Sequence, residues 1–229
     1  MSLLYMFGPG GYLIIIGIVI TMWAQAKVTG TFNKYLRVKN RRGLTGYEVA
    51  TEILRKNGVT DVQVVQIQGK LSDHFDPRRR VVRLSTDVYQ GRSIASLAVA
   101  AHEIGHVLQH EEGYAPIRVR DSLVPVASIG SKFSWVLILA GLFLGMTGLA
   151  TIGVWLFSAV VLFQIVTLPV EFNASSRALA TLEGSYYLSE DEMPAAKKVL
   201  NAAAMTYVAA TLVAVLQLIR LLMLTGRRN

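Results

Sequence analysis

The chain has 229 residues, enough for one substantial domain with at most a smaller appendage. Hydrophobic residues make up 52% and charged residues 17%, and the apolar excess is gathered into long runs, which excludes an ordinary soluble protein and predicts a membrane protein. The formal net charge is +8, but no aromatic-interleaved basic array or recognition motif accompanies it, so membrane-flanking Lys and Arg are expected and no nucleic-acid partner is.

The first apolar run, Tyr12 to Lys27, approaches the ~20 residues that cross a bilayer when extended back through "MFGPGG". No basic region precedes it and no convincing A-x-A site follows, so it is read as an uncleaved anchor. Lys27, Lys34, Arg37, Lys39, Arg41 and Arg42 come directly after it. By the positive-inside rule the amino terminus is then outside and the next segment cytoplasmic.

"LTGYEVATEILRKNGV" predicts an amphipathic helix, with Thr45 as N-cap, Glu48 completing a capping box, and Val49, Ile53 and Leu54 as its apolar face. "VQVVQIQG" and "RRRVVRLS" predict two strands forming a small sheet or ribbon. Between them, "KLSDHFDPR" is expected as a loop, where Pro77 discourages a continuous central strand. A helix follows from Ser93 to about His110, ended by Gly113 and Pro116. The run from about Phe133 to Val166 is too long for one span and predicts a hairpin turning near "GMTGLATIG". "LPVEFNASSRALATLEG" is read as a further helix after Pro169, "SEDEMPAAKK" as a charged loop, and about Ala202 to Leu224 as a last span.

The fold class expected is thus a mainly α-helical integral membrane protein. It has about four transmembrane helices and an α+β domain with a small β-sheet or ribbon. The segments are an anchor (1–26), a cytoplasm-facing segment (27–132), a transmembrane hairpin (133–166), a second polar segment (167–204) and a final helix with its tail (205–229). Four spans that start outside also end outside, which sets the two Arg of the terminal "GRRN" against the charge rule.

The chemistry concentrates in "AHEIGHVLQH". His102 and His106 are four apart, so on a helix both imidazoles leave one face a turn apart and can grip one ion. Glu103 lies about 100 degrees round, placed to reach a metal-bound water rather than the metal. Gly105 inside the helix costs ~1 kcal/mol relative to Ala, which the close approach of a strand or a substrate would explain. The chain contains no cysteine, so any metal site must use His, Asp or Glu.

Catalytic zinc needs three protein ligands. His110 shares the face but sits about 6 Å along the axis from His106 and about 12 Å from His102, too far for one ion. The metzincin pattern fails because Gln109 and Glu112 stand where it needs glycine and a third histidine. Glu111 and Glu112 share the reach problem of His110, and Glu190 and Glu192 lie in the charged loop. Glu171, at the end of a membrane run, is the candidate third ligand, since burying a carboxylate there is costly unless it is paired or ligating. Ser175, one turn on, is placed to orient a ligand by a hydrogen bond. Glu183 is the fallback, and pairing of Glu171 with Arg177 is the alternative.

"DHFDPR", "VRLS", "VAAHEIGHVLQH" and "EFNASSRAL", in this order between apolar segments, resemble the YugP-like membrane neutral zinc metallopeptidases over nearly the whole chain. A more distant similarity is to HtpX-type membrane proteases, with their gluzincin-type site. The resemblance implies a zincin-like α+β metalloprotease domain, with 27–132 as the metalloprotease segment and 167–204 as the second catalytic segment, zinc as cofactor, His102, His106 and Glu171 as its ligands, and Glu103 as general base. The family often has Asp where Asn173 stands, and the HtpX-like pattern has an acidic residue where Ser175 stands.

The reaction so implied is peptide hydrolysis by a zinc-activated water, with a donor for the oxyanion drawn from His74, Tyr114 and Arg177. A sheet edge before the catalytic helix would bind substrate by strand addition. The expected partners are a peptide or membrane-protein substrate and the lipid bilayer, and the expected location is the plasma (inner) membrane, multi-pass, with the site facing the cytoplasm. A non-proteolytic scaffold with a vestigial site is the alternative. A metal transporter is weaker, because the proposed spans carry almost no ionisable residues.

Overall fold

The computed structural model describes residues 10–226. The described chain runs α1 (Gly11–Leu36), α2 (Gly46–Lys56), β1 (Gln63–Ile67), β2 (His74–Asp76), β3 (Val81–Ser85), α3 (Thr86–Tyr89), α4 (Ile94–Glu111), α5 (Ala115–Leu144), α6 (Thr147–Gly184) and α7 (Met193–Thr225). It is a mainly α-helical protein with one small mixed sheet. Among the described residues α1, α5, α6 and α7 are long and apolar enough to cross a membrane. The backward extension of the first run through residues 6–9, and the terminal Arg227 and Arg228, lie outside the described residues.

The chain divides into two units, each described by itself. One takes residues 1–25, 115–169 and 206–229, and the other residues 26–114 and 170–205. In the first, the helices carry large apolar side chains outward. Trp155 is 73% and Phe143 86% exposed, as expected of surfaces made for lipid rather than water. Helix α5 closes on α6 through small residues. A Cβ on Gly141 would meet the Ala150 backbone nitrogen at 2.4 Å, and one on Gly130 the Leu156 carbonyl at 2.6 Å, so only glycine permits the approach. The hairpin turns at Gly145, whose φ is +69°.

Two membrane-helix expectations need correction. The helix leading into the hairpin starts at Ala115, not near Phe133, so Pro116 opens it rather than only closing α4. Helix α6 also runs unbroken from Thr147 to Gly184 with Pro169 inside it, where a break was expected. Proline deletes one backbone donor, but membrane helices tolerate that loss when neighbouring groups satisfy the freed carbonyl.

The second unit has the sheet order β1-β3-β2. β3 is central and carries the apolar run: Val82 and Leu84 are fully buried. It pairs parallel with β1 (Gln63 opposite Val81) and antiparallel with β2 (Phe75 opposite Val82). The stretch read as a loop therefore contains a third strand. Its turn is local chemistry: Asp76 Oδ1 accepts from the backbone N–H of Arg78 and Arg79 just after β2, around Pro77.

Helices α2 and α4 pack with the sheet into one core that includes Val49, Ile53, Leu97, Ala98 and Ile104. The capping box of α2 is present: Thr45 Oγ1 accepts from the Glu48 N–H at 3.1 Å, and Glu48 Oε2 accepts from the Thr45 N–H at 2.7 Å. Such a cap contributes about 1 kcal/mol. Glu192, expected to be solvated, is buried and accepts from the backbone of Arg41 and Ser189.

Candidate metal centre

Helix α4 is held at both ends by its own sequence. Ser93 caps it by accepting from the Ser96 N–H at 3.0 Å. Gly113, at φ +63°, lets the Tyr114 N–H return to the Gln109 carbonyl at 2.9 Å. In between, the helix is buried almost all round, and its Ala98, Ala101 and Gly105 row is small. A Cβ on Gly105 would lie 2.8 Å from the Ala174 carbonyl oxygen of α6. The glycine thus admits a neighbouring helix, not the strand or substrate its cost suggested.

That approach brings Glu171 to the histidine pair. Glu171 Oε2 lies 3.3 Å from His102 Nε2 and 3.6 Å from His106 Nε2. All three residues are buried, Glu171 at 4% exposure and the two histidines at 9%, and one ligand atom from each lies within 4.8 Å of the others. Glu171 Oε2 makes no hydrogen bond among the described residues. A buried carboxylate oxygen left that way is costly unless something cationic occupies the space it faces.

Each histidine is oriented through its other nitrogen. Ser175 Oγ lies 3.2 Å from His102 Nδ1. Gln109 Oε1 lies 3.0 Å from His106 Nδ1. The Gln109 amide nitrogen donates to the Val170 carbonyl at 2.8 Å and to Asn173 Oδ1 at 3.0 Å. Asn173 Oδ1 also accepts from Arg177 Nε at 2.7 Å, and Arg177 reaches on to Glu112 at 2.7 Å. Arg177 can only donate and the Val170 carbonyl can only accept, so the chain has one polarity. Gln109 must present its oxygen to His106, and His106 Nδ1 must carry the proton. Its Nε2 lone pair is then free on the Glu171 side.

Gln109 is the residue that sequence reasoning missed. It entered only as the wrong residue for a metzincin, although a glutamine one turn after the second histidine was itself a signal. The same network removes the expected alternative for Glu171, because Arg177 pairs with Glu112.

Glu103 is buried, at 8% exposure. Burial raises its pKa above the usual carboxylate value; the histidine pair opposes that rise, and the charges of Asp73 and Glu171 add to it. Asp73 is itself buried enough to be pushed up, against hydrogen bonds from the Ser85 N–H (2.7 Å) and hydroxyl (3.0 Å) that pull it back. Burial works to lower the His106 pKa, but the adjacent Glu171 carboxylate and the charge of Glu103 leave it raised.

The other predicted residues lie elsewhere. His74 is exposed on β2, with Nδ1 2.8 Å from the Ser72 carbonyl and Nε2 3.4 Å from Arg83. Tyr114 lies under the Arg177 guanidinium, 5.9 Å from ring centroid to carbon. His110 packs edge-on against the Phe75 ring, with centroids 5.5 Å apart.

Two histidines on one helix and a glutamate on another, buried in a chain with four apolar span-length helices, make a candidate metal centre in a membrane protein. The chain belongs to the family described as "Putative neutral zinc metallopeptidase", whose model matches residues 11–226. It is 47% identical over 218 residues to the "Putative membrane protease YugP" of Bacillus subtilis (strain 168), covering 94% of this chain and 97% of that protein. No solved structure matches it.

Zinc is the family's metal, and the site fits it. Two atoms each about 2.0–2.1 Å from one tetrahedral zinc are about 3.3–3.4 Å apart. The separations from Glu171 Oε2 to the two Nε2 atoms, 3.3 and 3.6 Å, are of that size, and neutral imidazoles with one carboxylate are a zinc donor set.

Proposed function

We propose that this protein is a membrane zinc endopeptidase in which His102, His106 and Glu171 hold the metal and Glu103 is the general base. The observation that carries the reading is the buried Glu171 Oε2, without a hydrogen bond and facing both Nε2 atoms. Zinc bound there supplies a Lewis acid for the scissile carbonyl and lowers the pKa of water to about 7.

The chain's own residues do the rest. Glu103 takes a proton from the attacking water and returns it to the leaving amine, and burial makes its carboxylate a stronger base than a solvated one. Gln109 and Ser175 hold the two imidazoles in register. Strand β2, at a sheet edge among the described residues, has an unpaired backbone side on which an extended peptide can add. Arg177, one of the three oxyanion candidates, is already engaged by Asn173 and Glu112. The second unit, residues 26–114 and 170–205, is the catalytic part in this reading, and the long apolar helices of the first unit are the membrane part. The basic cluster after the first span supports a site facing the cytoplasm from the plasma membrane.

The test is Glu103→Gln in full-length protein, assayed on an unfolded polypeptide with zinc measured in parallel. The variant should keep its zinc and lose about 10²–10⁴-fold in turnover. Wild-type cleavage by the variant contradicts the assignment. Wild-type protein that takes up no zinc and cleaves nothing would make it a non-proteolytic scaffold.

A further inference from the structure

Two sequence-distant stretches of the second unit meet at a groove of about 530 Å³, lined by Lys27, Thr31 and Lys34 of α1 and by Lys198 and Asn201 of α7. Lys27, Thr31 and Lys34 are spaced i, i+4, i+7, so they share one face of α1. Lys198 and Asn201, three apart, share one face of α7. The positive-inside rule accounts for basic residues near a span, but not for lysines of two helices converging on one concavity.

Among the described residues none of the three ammonium groups makes an ion pair. Lys34 instead lies over the Tyr35 ring at 5.5 Å, which keeps its charge at the groove wall. Gly30 also lines the groove, and a Cβ built there would meet nothing within 4 Å. No packing contact requires glycine at that point, and its lack of a side chain leaves the groove open.

The groove's place along the helices indicates its occupant. Lys27 is the first charge after the apolar run of α1, and Lys198 is the last charge before the apolar run of α7 that begins near Ala202. The lysines therefore mark the level where both helices pass from hydrocarbon to headgroups. Three cations with hydroxyl and amide donors, open to that level, match a phosphodiester at the head of a lipid. We infer that this groove binds the phosphate of an anionic phospholipid. The inference stands independently of the peptidase reading.

The test uses full-length protein in neutral detergent at low salt, with native mass spectrometry reading the affinity for phosphatidylglycerol. Phosphatidylcholine and inorganic phosphate serve as competitors. Three variants are compared with the wild type: Lys27→Gln/Lys34→Gln/Lys198→Gln; Gly30→Leu, which fills the groove without touching charge; and Lys70→Gln/Arg78→Gln/Arg79→Gln, which removes the same charge from an exposed surface. The groove triple should bind phosphatidylglycerol about a hundredfold more weakly, at roughly fivefold per lysine. Gly30→Leu should also weaken it, and the surface triple should leave it near wild type. Equal losses in both triples would reduce the effect to net charge and overturn the site. So would phosphatidylcholine competing as well as phosphatidylglycerol. Displacement by inorganic phosphate at equal concentration would make the ligand free phosphate and overturn the lipid assignment.

Discussion

Gln109 accepts a hydrogen bond from His106: its Oε1 lies 3.0 Å from Nδ1, while its amide nitrogen is anchored on the Val170 carbonyl 61 residues away. One side chain thus fixes the tautomer of one proposed ligand and ties helix α4 to the helix carrying another. Gln109→Met keeps the length and burial and deletes the polarity. It should weaken zinc binding about 10–100-fold, as loss of a ligand's hydrogen-bond partner does elsewhere. Competition with a calibrated chelator measures this, with circular dichroism to show that the helices remain. Unchanged affinity would leave Gln109 a packing residue.

Gly105→Ala tests the helix approach. Its Cβ would sit 2.8 Å from the Ala174 carbonyl, so α4 and α6 must separate, at about 1–3 kcal/mol. Zinc affinity should fall with stability, because the same separation draws Glu171 away from the histidines. Gly148→Ala is the comparison, since nothing lies within 4 Å of a Cβ there. As a helical glycine it should be neutral or gain up to about 1 kcal/mol. Thermal melts of the two variants in the same detergent decide the matter.

The pH dependence follows from Asp73. Burial raises the Glu103 pKa, and the Asp73 charge adds to the rise. Activity should therefore fall as pH drops through the raised Glu103 value, where the base becomes protonated. Asp73→Asn removes a negative neighbour, so the acid limb of kcat/KM should move to lower pH. Unfolding would not explain that shift. Asp73 has a pKa raised above 3.8 by burial, so its ionised form costs stability at neutral pH, and Asn carries no such cost. An acid limb that stays put or moves up would contradict the placement of Asp73 near the base.

What the sequence made legible was local or periodic. The Thr45–Glu48 capping box, the Ser93 cap and the four apolar runs need no partner beyond a few residues to be recognised. Strand β2 was not legible, because three residues ahead of a proline carry no strand pattern and exist as a strand only by pairing with β3. The unbroken α6 was not legible either. Pro169 ends most helices in water, and its cost is met only by neighbours that a single segment does not show. Gly105 was visible as an anomaly, but its cause is a carbonyl on another helix. Gln109 was misread for the same reason: its role lies in Val170, Asn173 and Arg177, which only the fold brings to it.

The central claim is that Glu171 completes the metal centre begun by His102 and His106. Zinc content should be measured by mass spectrometry on wild-type and Glu171→Ala protein, purified identically and dialysed against the same weak chelator. The account predicts one zinc per chain in the wild type and loss of most of it in the variant, because two imidazoles alone are an incomplete site. Full occupancy in Glu171→Ala would contradict it and return the third ligand to some other residue.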